Sequence, residues 1–183
     1  MRVLIACEFS GIVRDAFIAR GHEVLSCDLL PTEREGSHYQ GDVRDVIYDG
    51  WDMMIAFPPC TYLSYAGNRH WNNPGREEKR REALTFVRFL MDAPIARIAI
   101  ENPKGCISRY IRKEDQIITP YNFGHSEQKR TCLWLKNLPP LMVVCTYLNR
   151  KEFIIAMSPS LNRAKNRSRT FQGIALAMAS QWT

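Results

Sequence analysis

Four short apolar runs, each cut off by a turn signal, constrain this chain more than any other feature. They are RVLIA at 2–6, EVLSC at 23–27, MMIAF at 53–57 and ARIAI at 96–100. None alternates polar with apolar residues, as a strand with one wet face would. They therefore read as strands covered on both sides of a parallel sheet. Between the first two, Ile12, Val13, Ala16, Phe17 and Ala19 recur at helical spacing and stop at Gly21, a helix-ending residue. ALTFVRFLM at 83–91 reads as the helix before the fourth strand. The fold class that follows is α/β, a mostly parallel sheet with helices on both faces. After Gly105 the pattern changes: 116–119, 131–135 and 141–147 read as strands joined by Pro- and Gly-containing turns, an antiparallel C-terminal edge. The stretch 170–182 resumes helical spacing.

The length of 183 residues fits one domain over 1–183 and excludes a multidomain machine. A hydrophobic share of 45% with 24% charged residues excludes disordered, collagenous and fibrous chains. Six cysteines, at 7, 27, 60, 106, 132 and 145, form no CxxC pair, and the N-terminal apolar run is too short for a signal peptide. Reduced thiols in cytoplasm are the expectation. No apolar run approaches the roughly 18 residues of a membrane span. His22, His38, His70 and His125 show no HxxxH spacing, so no metal is expected.

Lys and Arg number 25 against 19 Asp and Glu, a net charge of +6 that suits a polyanionic partner without requiring one. Two polar stretches, 65–81 and 158–169, are candidate contact loops. In them Arg69, Arg76, Lys79, Arg80, Arg163, Lys165 and Arg167 are candidate phosphate contacts; the same residues also suit a solvated face.

In an open α/β sheet, ligands gather at the carboxyl ends of the strands. There this sequence carries Glu8-Phe9-Ser10-Gly11, then Asp28, Gly41-Asp42-Val43, Pro58-Pro59-Cys60 and Glu101-Asn102-Pro103. The first turn followed by an acid suits a nucleoside cofactor, although only one glycine of a dinucleotide fingerprint is present and an ordinary strand-to-helix turn has the same pattern. Cys60 stands where a nucleophile could meet a substrate, while cysteine is also a common packing residue. Glu101 ends an apolar strand, where a charge needs a partner or a purpose. Thiol and carboxylate on neighbouring loops suit attack on an electron-poor ring: a thiolate adds to carbon 6 of cytosine if an acid engages ring nitrogen 3, and carbon 5 becomes nucleophilic.

Pro58-Pro59-Cys60, Glu101-Asn102-Pro103, Phe9-Ser10-Gly11 and Gly41-Asp42-Val43, in this order, resemble the cytosine-C5 DNA methyltransferases, and most closely small bacteriophage proteins of that kind. Segments 121–125 (YNFGH), 131–136 (TCLWLK) and 169–175 (RTFQGIA) extend the resemblance over nearly the whole chain. It implies a Rossmann-like fold, S-adenosylmethionine as cofactor, DNA as partner and a host-cell cytoplasm as location. It further implies that Cys60 is the nucleophile and Glu101 the acid on the base. Phe9, Ser10, Gly11 and Pro58 line the cofactor pocket in this carry-over, Asp28 takes the ribose and Asp42 the adenine amino group. Gln128-Lys129-Arg130 resembles the family's Gln-x-Arg motif, which makes Arg130 a support for the catalytic loop and target base.

Two departures stand out. Val13-Arg14 replaces further glycines after the first turn, which puts cofactor geometry in question. The stretch 137–167, with 31 residues, is too short for the family's separate recognition domain, so low or short-range sequence specificity is expected. Methylation of a free nucleotide or single strand, and a catalytically silent binding module, are the competing expectations.

Overall fold

The four apolar runs become the centre of a seven-stranded sheet, seen in a computed structural model that describes residues 1–66, 72–143 and 169–183. The strands are β1 (Arg2–Ala6), β2 (Glu23–Asp28), β3 (His38–Gln40), β4 (Met53–Ala56), β5 (Arg97–Pro103), β6 (Gln116–Ile118) and β7 (Thr131–Lys136). Their order across the sheet is β3-β2-β1-β4-β5-β7-β6. The first five run parallel, while β7 is antiparallel to β5 and to β6, so the antiparallel C-terminal edge is as expected. Chain order reverses between β1 and β4, and a crevice opens at such a switch point beyond the carboxyl ends.

Successive residues of a strand face opposite sides, and each side meets helices. Leu4, Ala6, Met54, Ala56, Ile98 and Ile100 pack under α2 (Arg76–Met91) through Leu84, Val87 and Leu90. Val3, Ile5, Met53, Ile55 and Ala99 pack under α1 (Ile12–Ile18) and α4 (Gln172–Gln181) through Val13, Phe17, Ile174 and Met178. This two-sided cover is why the strands show no alternation. A short α3 (Ile107–Tyr110) follows β5.

The structure corrects several expectations. The three-residue edge strand β3 pairs with β2 although nothing apolar marks it. Helix α2 starts at Arg76, not Ala83, so residues 76–81 of the first expected contact loop are helical. Its first turns are polar and, apart from buried Arg76 and half-buried Arg80, exposed, with Glu77 and Glu78 favourably placed at the positive end of the helix dipole. Glu101-Asn102-Pro103 is not a loop after the strand but the end of β5, because pairing with Leu133, Cys132 and Thr131 of β7 carries β5 beyond β4. Residues 141–143 belong to no strand, and the rest of the expected strand 141–147 lies outside the described residues. Of the stretch 158–169 only Arg169 is described.

Candidate active site

The thiol-bearing segment leaves β4 through Phe57, whose N–H donates to Ala6 O at 2.9 Å, and then through buried Pro58. Cys60 O accepts from Leu63 N at 3.1 Å and Ser64 N at 2.9 Å, a tight turn that leaves the Cys60 side chain exposed. Among the described cysteines Cys60 alone is exposed. Burial pushes the other thiols up, Cys27 to about 12 and Cys132 to about 11, with Cys7 and Cys106 shifted the same way. Such thiols are poor nucleophiles.

Two ties bind this turn to β5. Asn102, 1% exposed, donates from Nδ2 to Pro58 O at 2.7 Å. Ser64 bridges Gly105, and Cys106 N donates to Leu63 O at 2.8 Å. A Cβ at Gly105 would stand 2.0 Å from Leu63 O, so only glycine permits this approach. As a result Cys60, Glu101 and Asn102 line one cleft, of about 110 Å³, with Lys129, Thr131 and Phe171. Burial pushes the Glu101 carboxyl up; the hydrogen bond it accepts from Thr131 Oγ1 and the nearby Lys129 charge act the other way. A carboxyl group biased toward holding its proton can donate to a ring nitrogen.

On the β1–β2 side, cavities of about 250 and about 580 Å³ share Cys7, Asp28 and Pro59. Phe9, Ser10 and Asp28 line the larger, which runs on to Cys60, Lys129 and Arg130; Asp42 lines the smaller. Asp28 accepts from Leu30 N at 2.9 Å, and burial pushes its carboxyl up. Both Asp42 oxygens are engaged by Arg44, one by its N–H at 2.9 Å and the other by Nη1 at 2.7 Å. Gly11, at φ 72°, opens α1 and lines none of these cavities. Pro58 lines the thiol cleft and neither β1–β2 cavity, whereas Pro59 borders all three. Arg130 faces the larger β1–β2 cavity, while Lys129 borders both that cavity and the thiol cleft.

The roles of two residues named in the sequence were not foreseen. Glu8, 4% exposed, accepts from Ser10 Oγ and from Ile12 N (3.0 Å) at the start of α1, so it caps the helix; its Oε2 is buried with no hydrogen-bond partner among the described residues. The S/T/D/N helix-start signal does not include a glutamate placed four residues earlier. Arg14 is fully buried and donates to Thr32 Oγ1 (3.2 Å), Arg34 O (3.1 Å) and Glu35 O (2.8 Å), with Asp15 paired at 2.9 Å. Arg14 thus fastens the loop after β2. A Cβ on Gly11 would approach Arg14 Nη2 to 2.7 Å, which ties that glycine to this arginine.

Two of the seven basic residues expected at phosphates are engaged by backbone carbonyls instead. Arg76 is buried, donating from Nη2 to Thr61 O at 3.0 Å, and Arg80 Nε donates to Tyr62 O at 3.3 Å. Lys79 stands 5.7 Å from the Tyr62 ring. These cations face the thiol loop, and a guanidinium buried against a carbonyl is not available to a phosphate. Arg69, Arg163, Lys165 and Arg167 lie outside the described residues. Exposed Lys104, Lys129 and Arg130 border the large cavity beside Cys60 instead. Among the described residues no group of three His, Cys, Asp or Glu could hold a metal ion, and no helix is long and apolar enough to cross a membrane.

No protein-family model matches the sequence, and no curated protein matches it. Solved structures do. A methyltransferase of Entamoeba histolytica, EhMeth, matches with a TM-score of 0.51 and 16% identity over 76% of this chain and 53% of its own. The fold is that of Rossmann-like methyltransferases. A protein assigned as a prophage-encoded DNA modification methyltransferase of E. coli matches at TM-score 0.47 and 12% identity, over 74% of this chain and 46% of its own. The 16S rRNA methylase RmtB matches at 0.40 and 13%, over 74% and 55%. This chain spans about half the length of these structures.

Proposed function

We propose that this chain transfers a methyl group from S-adenosylmethionine to carbon 5 of cytosine in DNA. The observation that carries the reading is the single cleft lined by the exposed Cys60 and by Glu101. It opens beside a second, larger cavity at the carboxyl ends of β1 and β2. That cavity fits the cofactor: Phe9 and Pro59 offer apolar walls, and Asp28 offers an acceptor for sugar hydroxyls. Asp42, already held by Arg44, is the weakest of the carried-over contacts.

Bound there, the cofactor supplies a methyl group on a positively charged sulfur. The chain's own groups do the rest. A stacked base keeps its carbon 6 out of reach, so the cytosine is swung out of the helix at a cost of a few kcal/mol. The Cys60 thiolate bonds to carbon 6 while Glu101 donates its proton to nitrogen 3, which leaves an enamine whose carbon 5 is nucleophilic. After methyl transfer, which leaves S-adenosylhomocysteine, a base such as water takes the carbon 5 proton, the thiolate is expelled from carbon 6 and nitrogen 3 returns its proton to Glu101, which restores the aromatic ring. Lys104, Lys129 and Arg130 at the rim neutralise flanking phosphates, a contribution that falls with salt.

Protein incubated with cofactor tritiated in the methyl group is offered duplex DNA, single-stranded DNA and free nucleotides in parallel. Label at carbon 5 of duplex cytosine, lost in Cys60→Ala, is the expected result. Label only in single strands or nucleotides changes the acceptor, and binding of DNA without transfer to any acceptor leaves the silent module.

A further inference from the structure

Arg76 is the first residue of α2, at the positive end of the helix dipole, where a cation is disfavoured. It is nevertheless 8% exposed, and its Nε is buried without a hydrogen-bond partner among the described residues. Burying a charge there calls for a compensating role. Its Nη2 donates to Thr61 O at 3.0 Å, and its guanidinium lies 5.2 Å from the centre of the Tyr62 ring. One helical turn on, Arg80 donates to Tyr62 O at 3.3 Å. Two arginines on one face of α2 therefore grip the two carbonyls that directly follow Cys60.

The remaining ties of the same segment come from β5 and its loop: Asn102 holds Pro58, while Lys104 and Cys106 hold Tyr65 and Leu63. Among the described residues α2 supplies both nitrogen donors to the two peptides just beyond the thiol, and Cys106 Sγ adds a longer contact to Tyr62 O at 3.9 Å. We infer that Arg76, assisted by Arg80, is a positioning residue that latches the Cys60 turn to α2, so that the thiol faces the cleft before any substrate arrives. This use of the cations replaces the phosphate contact that their sequence pattern invites. The latch deepens the proposed function, yet its geometric part stands without it.

The test compares wild type with Arg76→Met, Arg76→Lys and Arg80→Met. Amide hydrogen exchange over residues 61–65 reads the latch itself, because Leu63 N–H and Ser64 N–H are bonded to Cys60 O. Exchange at least tenfold faster in Arg76→Met is expected; unchanged exchange overturns the inference whatever the substrate. With duplex DNA carrying 5-fluorocytosine, the rate of covalent capture at saturating DNA falls at least tenfold, while half-saturation and its salt dependence stay as in wild type. Arg76→Lys restores part of the rate, since an ammonium still donates to one carbonyl. A salt slope reduced by about one, with the capture rate intact, identifies Arg76 as a phosphate contact and overturns the latch. Absence of capture in wild type together with faster exchange in Arg76→Met rejects cytosine attack and upholds the latch. Should Arg76→Met fail to fold, Arg80→Met takes its place with a smaller change in the same direction, and no change in either readout then overturns the inference.

Discussion

The two loops that frame the crevice are fastened in opposite ways. Residues 29–37, after β2, are held from within by one fully buried arginine, Arg14, whose guanidinium reaches Thr32, Arg34 and Glu35 at once. The Cys60 segment, after β4, is held from its flanks by separate donors: Asn102, Arg76 and Arg80, each spending one hydrogen bond on one carbonyl. Glu33 N–H on Phe9 O and the Arg169–Glu33 ion pair add to this anchor, but Arg14 gathers three of the loop's residues at its centre, so its loss loosens the cradle as a whole. Distributed latches can be released one at a time, which suits a segment that must admit a bulky substrate.

Breaking the first anchor is therefore the most damaging change. Arg14→Met removes the guanidinium and leaves buried carbonyl and hydroxyl groups unpaired; a loss of about 3 to 5 kcal/mol is expected. Urea unfolding measures it, and binding of S-adenosylhomocysteine weakens in parallel because Asp28 and Leu30 lead into the loop. A loss below about 1 kcal/mol would make the two fastenings equivalent.

Asn102→Ala tests one latch on the other side. It removes the 2.7 Å bond to Pro58 O and leaves that carbonyl unpaired, for a loss of about 1 to 3 kcal/mol in the same unfolding assay. The contrast sharpens if cofactor-product binding stays intact in this variant while capture of 5-fluorocytosine DNA slows.

The difference between the loops also marks where the sequence was legible. The parallel core could be read because strands buried on both faces leave continuous apolar runs, and Cys60 and Glu101 could be placed at neighbouring strand ends from those runs. Their meeting in one cleft follows from that placement. Glu101 inside β5 could not be foreseen, since the extra length of that strand depends on β7, thirty residues on. Nor could the use of Arg14, Arg76 and Arg80, because an arginine's spelling does not tell a buried carbonyl from a phosphate. Strand β3 and the first turns of α2 lack an apolar signal altogether: the former is a half-exposed edge, the latter polar residues that face solvent or, as Arg76 and Arg80, the Cys60 segment.

The smallest effect sits beneath the same cradle, at Glu8. Burial pushes its carboxyl up, against the opposing pull of the Ser10 and Ile12 hydrogen bonds. The native state thus holds this proton at pH values where the unfolded chain has released it. Its contribution to stability is complete below the ordinary carboxylate range and declines as pH rises through that range to the raised native value, then stays level. Glu8→Gln keeps an oxygen for Ser10 and Ile12 and cannot ionise, so its stability relative to wild type should improve as pH rises from about 4 toward neutrality, by at most the roughly 1.4 kcal/mol per pH unit that one proton allows. Urea unfolding of both proteins across that range measures the difference. A relative stability that falls with pH would mean that Glu8 is held as a carboxylate, its charge welcomed by the start of α1 and by Arg14, and the cradle would then rest on two charges rather than one.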